Sequence, residues 1–346
     1  MALLRNLFVL LIISSISFIE LKAQNEADGL VKWLSFKEAQ EKNKQVQKPF
    51  IIDIYTDWCG WCKHMMKTTY SNPALANYIN TNFYPVKFNA EGKDTIEYNG
   101  KLYKPLSKEP KTPHELAIKF LGNNLSYPST IFVTNNFEYS LLTQGFLEDK
   151  KIEPILIFMV ENAWRSSIFE EFNKNFSRTF YDTAFNKVAV KMLTFKEVEK
   201  LTAKKPKKIL VNIGTNFCNT CKVMTKTTYC DSAIGNYINK NFYVVNFDAE
   251  SNDTILYKKE KHYKIPLNGY PLHSLAVRLT NNRFSLPSLC VLDEQLNPLE
   301  TLNFYQSPQQ LKPVLEFFAG NIYKTKTWSD FIKEYSTGQS TKATKK

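Results

Sequence analysis

Apolar and polar residues follow two periods along this chain, and each period predicts a different element. Phe50-Ile51-Ile52-Asp53-Ile54-Tyr55 is a short, nearly continuous apolar run bounded by Pro49, the pattern of a strand buried on both faces. Phe83 to Phe88 and Ile131-Phe132-Val133 read as further strands. Ile96 to Tyr103 alternates around Asn99-Gly100, the signal of a two-residue hairpin. Between these lie helical stretches. Ser35-x-x-Glu38 is a capping box that opens the first. Others are predicted over Ala74 to Asn80 after Pro73, over Pro113 to Leu121, and from near Pro154 onward. Strands alternating with helices predict an α/β layered domain.

The same order of elements occurs twice. One constant offset of 159 positions aligns Phe36-Lys37-Glu38 with Phe195-Lys196-Glu197, and Lys67-Thr68-Thr69-Tyr70 with Lys226-Thr227-Thr228-Tyr229. It also aligns Asn77-Tyr78-Ile79-Asn80 with Asn236-Tyr237-Ile238-Asn239, Asp94-Thr95-Ile96 with Asp253-Thr254-Ile255, and Phe172 with Phe331. The second half has its own capping box, Thr194-x-x-Glu197, and its own buried-strand run, Ile209 to Ile213. A period this long marks a duplicated domain, not a solenoid of small repeats.

Composition agrees. A length of 346 residues suits two domains, and only 11 Gly and 15 Pro exclude a low-complexity chain. The net charge of +12 is spread over scattered lysines apart from the tail, so a solvated surface is expected and a nucleic-acid partner is not. Met1 to Arg5 is a short basic start, Leu7 to Ile19 is apolar except for three serines, and Leu21-Lys22-Ala23 offers a small-residue cleavage site. That pattern predicts an export signal, and after it no stretch is apolar enough to span a membrane. The expected organisation is a signal peptide over 1–23, domains over 24–180 and 181–338, and a Lys-rich tail over 339–346. Export, to the periplasm or beyond the cell, puts the six cysteines in a compartment that permits disulfides.

Four of those cysteines form two C-x-x-C pairs, Cys59-Gly60-Trp61-Cys62 and Cys218-Asn219-Thr220-Cys221, each following a predicted buried strand and opening a helix. A thiol at a helix N-terminus meets unpaired backbone N–H groups and the positive end of the helix dipole, which favour the nucleophilic thiolate. The second Cys, one turn later, is within reach of a mixed disulfide and can resolve it. Other readings exist. A haem site needs His directly after the pair, whereas Lys63 comes before His64. A zinc site would join pairs 159 residues apart in different domains. A purely structural disulfide closes too small a loop to stabilise much. Cys290 reads as an inert core thiol and Cys230 as peripheral. His114 and His273, matched by the offset, suit helix packing or capping, and His64 a helix face beside the first pair.

Asp53 to Lys63, with Trp58-Cys59-Gly60-Trp61-Cys62-Lys63 at its centre and Tyr127-Pro128-Ser129-Thr130 downstream, resembles the thioredoxin superfamily. The resemblance extends over both repeats. It implies tandem thioredoxin-like domains, each a mixed sheet of four or five strands flanked by helices. It further implies a cis proline facing each dithiol, at Pro128 and Pro287, with the residues before them, Tyr127 and Leu286, meeting bound substrate together with Trp58 and Trp61. A buried acid six residues before the first Cys, partnered by a lysine on the next strand, corresponds to Asp53 and Lys87; the acid would take the proton of Cys62. In the second repeat those positions hold Asn212 and Asn246. Acid and base are lost together, as suits a pair of which one member alone would be a stranded buried charge. The expected function is thiol–disulfide exchange with protein thiols and disulfides, without a bound cofactor. Cys59 is the attacking thiol, Cys62 the resolving one, and Cys218 and Cys221 a second, weaker or relay site. A thioredoxin-fold module that holds proteins without turnover is the alternative. The longer stretch between the second strand and Pro128 would rim the site or be a tolerated surface insertion.

Overall fold

The computed structural model describes residues 29–182, 190–267 and 270–343. The segment read as an export signal and the last three residues of the Lys-rich tail lie outside these. The chain packs as two compact units, one up to Val160 and one from Glu161 onward.

In the first unit, α1 (Phe36–Gln45) starts at the expected capping box: the Ser35 hydroxyl accepts the Glu38 amide, and the Glu38 carboxylate accepts the Ser35 amide. β1 (Phe50–Tyr55) follows, then α2 (Gly60–Lys67), α3 (Pro73–Asn82) and β2 (Tyr84–Asn89). The hairpin is β3 (Ile96–Tyr98) and β4 (Lys101–Tyr103), with Asn99 and Gly100 both at positive φ, as a two-residue turn between twisted strands requires. α4 (Glu115–Leu121), β5 (Ser129–Val133), β6 (Ser140–Gln144) and α5 (Asp149–Val160) complete the unit. α3 runs from Pro73 through Asn82, longer than the pattern predicts. α5 begins at Asp149, not near Pro154; the proline sits inside the helix and costs it a backbone hydrogen bond.

The sheet runs β2-β1-β5-β6, with β1 parallel to β2 and antiparallel to β5. β1 is paired on both edges and buried on both faces, which explains its unbroken apolar run. Phe50, Ile52 and Ile54 belong to a core cluster with Phe36 and Ala39 of α1 and Leu116 and Ala117 of α4. Successive strand side chains alternate in direction, so Ile51 and Asp53 take the opposite face.

The second unit opens with a helix that the offset assigns to the first repeat, α6 (Phe169–Phe180). β7 (Met192–Leu193), α7 (Phe195–Lys204), β8 (Lys208–Gly214), α8 (Asn219–Lys226), α9 (Ser232–Asn241) and β9 (Phe242–Asp248) come next. Two small hairpins follow, β10 (Ile255–Tyr257) with β11 (Glu260–His262), and β12 (Lys264–Leu267) with β13 (Tyr270–His273). The unit ends with α10 (Ser274–Leu279), β14 (Ser288–Leu292), β15 (Pro298–Asn303), α11 (Pro308–Ala319) and α12 (Trp328–Ala343). Its five-stranded sheet, β15-β14-β8-β9-β7, repeats the first in order and sense and adds the short edge strand β7. α6 packs against α8, and Phe172 meets the fully buried Tyr305 edge-on with ring centroids 5.6 Å apart. Both units therefore have the mixed, helix-flanked sheet that the resemblance implies. Among the described residues no helix is long and apolar enough to cross a membrane.

At the start of β8, Lys208 is buried, and its ammonium donates to Glu294 Oε1 at 2.9 Å and to Asn321 Oδ1 at 2.7 Å. Removing the carboxylate leaves a buried cation short of its counter-charge. Glu294→Ala should therefore cost the second unit about 3 kcal/mol, whereas Lys208→Met should be near neutral. Denaturant titration of both variants checks this; equal losses would mean that the pair contributes only as packing.

Candidate functional site

The fold brings the two cysteines of each pair to the same local geometry. In unit 1 the chain leaves the C-terminal end of β1, and the Cys59 amide donates to Thr56 O. Cys59 then caps α2 with its sulfur, which accepts the Cys62 amide at 3.1 Å. Unit 2 repeats this at α8, where Cys218 Sγ accepts the Cys221 amide at 3.1 Å. Each pair is closed as a disulfide, Cys59–Cys62 and Cys218–Cys221. A sulfur at a helix cap is where the dipole and the free amides support negative charge. Cys230 and Cys290 stand outside both disulfides. Cys290 is fully buried in the core of unit 2, and burial pushes its thiol up to about 11.

The prolines before β5 and β14 are cis, at Tyr127–Pro128 and Leu286–Pro287. Register carries them to the dithiol end of the sheet: Ile54 of β1 pairs with Ser129, and Ile213 of β8 with Ser288. Trp58 and Tyr127 meet edge-on with centroids 6.0 Å apart, and the Trp58 indole donates to Glu91 Oε1 at 3.0 Å. Trp61 is 62% exposed and, with His64 and Phe146, forms a small aromatic cluster with centroids 5.2–5.8 Å apart. The equivalent positions in unit 2 are less aromatic: Phe217, Thr220 and Leu286.

Asp53 lies on the face of β1 away from the Phe36 cluster, fully buried. Register sets it beside Lys87 on β2 and Thr130 on β5. The Tyr70 hydroxyl donates to its Oδ1 at 3.3 Å, while Oδ2 is buried without a hydrogen-bond partner among the described residues. Burial raises the carboxyl to about 7, against the opposing pull of Lys87 and the Tyr70 hydrogen bond. The Lys87 ammonium sits over the Tyr55 ring, 5.0 Å from its centroid.

Unit 2 keeps this frame without the charges. Asn212 Nδ2 donates to Asn246 Oδ1 at 2.8 Å, and the Tyr229 hydroxyl donates to Asn212 Oδ1 at 3.0 Å. A cavity of about 230 Å³ borders Asn212, Gly214, Cys221 and Asn246. Gly214 keeps it open: a Cβ there would lie 3.2 Å from Cys221 Sγ. His114 and His273 are fully buried N-caps of α4 and α10, each accepting an amide through Nδ1, which is the capping role expected of them.

Three further residues contribute that the motifs alone do not mark. Tyr70 and Tyr229 stand inside the matched Lys-Thr-Thr-Tyr blocks, so their repetition was a usable signal. Glu161 carried none. Its Oε1 accepts the Asn219 amide and side chain, each at 3.1 Å, and its Oε2 accepts the Thr220 amide at 2.7 Å and hydroxyl at 2.6 Å. It thus holds the first turn of the second dithiol helix.

The profile of the family Thioredox_DsbH, described as a protein of unknown function, DUF255, matches residues 14–110 and again 171–289, more than half of the chain. An uncharacterized protein of Archaeoglobus fulgidus is 23% identical over 92 residues, covering 27% of this chain and 72% of its own length. The thiol:disulfide interchange protein DsbD of Vibrio vulnificus is 36% identical over 58 residues, which are 16% of this chain and only 10% of DsbD. Among solved structures, a thioredoxin-fold protein from Helicobacter pylori aligns over 49% of this chain and 96% of its own, with 18% identity and a TM-score of 0.30.

The raised carboxyl of Asp53 has a signed consequence for stability. Between its ordinary value of 3.8 and about 7 the unfolded chain has released this proton while the folded unit keeps it. Stability is therefore greatest below the unfolded value, falls as pH rises to the folded value, and is level above it. The full loss is roughly 4 kcal/mol, because each pH unit between the two values is worth about 1.4 kcal/mol. Asp53→Asn should flatten this slope and raise the melting temperature of the first unit at pH 8. Melts from pH 4 to 9 test it; an unaltered slope would mean that Asp53 ionises normally.

Proposed function

The chain belongs to the Thioredox_DsbH family, and from that premise we propose that it is an exported thiol–disulfide oxidoreductase whose first dithiol carries the exchange. In the reducing direction the Cys59 thiolate attacks one sulfur of a substrate disulfide. A mixed disulfide forms and one substrate thiolate leaves. Cys62, deprotonated by Asp53, then attacks Cys59 Sγ; the Cys59–Cys62 disulfide forms and the second substrate thiolate leaves. The dithiol loses two electrons, the substrate gains them, and the two cysteine protons pass to the departing thiolates through Asp53 and solvent. The oxidising direction is the reverse of these steps.

The observation that carries this reading is a fully buried carboxylate, raised to about 7, on the strand that leads into a dithiol at a helix N-terminus. Near neutral pH such a group both takes and returns a proton, as a general acid–base must. Lys87 is its electrostatic partner, holding it from rising further. The exposed Trp58 and Trp61 support apolar polypeptide as the substrate class, with the Tyr127–Pro128 segment beside Trp58 as the backbone that would pair with it. The apolar leader and the 36% identity to part of DsbD support work outside the cytoplasm, where disulfides persist. Unit 2, with Asn212 in place of the acid, serves as a slow or relaying second site.

The test is reduction of a protein disulfide such as insulin's by the full chain. Cys59→Ser should abolish the first-site rate. Asp53→Asn should lower it about a hundredfold and remove its rise through pH 7. Cys62→Ser should accumulate mixed disulfides through Cys59 in cells. No turnover and no trapped partners would leave a holding module as the better description.

A further inference from the structure

The two dithiol helices share one cap and differ in what meets the rest of their first turn. In both, the sulfur of the first cysteine accepts the amide of the second at 3.1 Å. In α2 the two residues between the cysteines are exposed, Trp61 by 62%. In α8 the corresponding Thr220 is fully buried and Asn219 is half-buried. The group that meets them is Glu161, which accepts both intervening amides, the Asn219 side chain and the Thr220 hydroxyl. Burial raises its carboxyl above the ordinary range, and these four donated bonds offset only part of that rise. Four donors converging on two oxygens suit a carboxylate, since an acid's own proton would have to find an acceptor there.

Three effects of this arrangement act on Cys218 in the same direction. The positive end of the helix, which would support a thiolate, is already matched by a negative charge. A carboxylate one residue from the sulfur along this hydrogen-bonded turn raises the cost of a second negative charge. The Thr220 hydroxyl lies 3.5 Å from Cys218 Sγ, but its one proton goes to Glu161. It is left only as an acceptor, and an acceptor favours the S–H form. The charged groups around this turn are Lys222 and Lys226 of α8, Glu170, Glu171, Lys174 and Arg178 of α6, Asp248 at the end of β9, which borders the same cavity as Cys221, and Arg165 shortly after Glu161. Of these, Lys226 donates to Thr179 O, so its charge points along the α6 contact.

We propose that Glu161 is a carboxylate cap that keeps the first turn of the second dithiol helix covered and, once that dithiol is reduced, its Cys218 protonated. On this view the second site exchanges disulfides only when the cap is withdrawn, which gives the slow or relaying role of that site a physical cause. The inference rests on the reading of the second pair as an exchange site. Glu161 acts through Asn219 and Thr220 and is a positioning residue.

The experiment is site-resolved alkylation of the reduced, full-length protein by iodoacetamide from pH 5 to 10, read by peptide mass spectrometry. In the wild type Cys218 should react at least tenfold more slowly than Cys59 at pH 7. Glu161→Gln should shift the Cys218 profile down by about one pH unit and speed its alkylation about tenfold at pH 7. Glu161→Ala, which also uncovers the turn, should speed it further. Cys59 should be unaffected, and buried Cys290 should stay unreactive as the sign that unit 2 remains folded. A wild-type Cys218 as reactive as Cys59 overturns the proposal whatever the variants do. So does an unchanged Cys218 profile in Glu161→Gln. A slower Cys218 in that variant also overturns it, because Glu161 would then be accepting the thiol proton through Thr220. Alkylation needs no turnover, so this result and failure of the insulin assay are separable.

Discussion

The first turn of a helix presents backbone amides that the helix itself cannot satisfy, and the chemistry of this protein depends on what meets them. In both units a cysteine sulfur is the cap, held by the amide three residues on. Such a position favours the thiolate once the pair is reduced, unless a negative charge already meets the turn, as Glu161 does in the second unit. The central strand matters because it ends where this turn begins. Its pairing with the strand after the cis proline brings Tyr127 against Trp58 and Leu286 to the matching edge. The rest of each sheet and its helices hold that edge in place.

Duplication kept the frame and let the electrostatics diverge. Tyr70 and Tyr229 occupy one place in the two units and donate to the residue at the same point on the central strand. In the first unit that residue is a carboxylate with a lysine beside it; in the second it is an amide bonded to another amide. The Asn–Asn pair satisfies the buried Asn212 without charge, and losing both charges together avoids leaving one uncompensated. The second unit nevertheless has a half-buried carboxylate near its cysteines. It comes from Glu161, outside the sheet, and it meets the amides of Asn219 and Thr220 instead of occupying the central-strand position.

The helix α6 makes a related point about repeats. Phe172 and Phe331 match in sequence, yet Phe172 packs on Tyr305 whereas Phe331 packs on Phe317. Near the junction of the two repeats α6 packs on the body of the second unit, to which it belongs, whereas α12 packs on α11. Residues matched in sequence thus have different neighbours in the fold.

Much of this protein was legible because it is local or repeated. The capping boxes, the Asn99-Gly100 turn, the doubly covered strand and the cysteines at helix starts are each specified by a few adjacent residues and the period they follow. The offset carried every such assignment from one half to the other. Asp53 could be read as buried because apolar residues surround it on a strand covered on both faces. The boundary between units, the start of α5 before Pro154 and the part played by Glu161 were decided by tertiary packing alone. Glu161 lies 58 residues before Asn219, obeys no helical or strand period with it, and stands outside the matched blocks. Nothing local couples a carboxylate to a distant pair of amides; only a folded chain that removes both from water makes their meeting favourable.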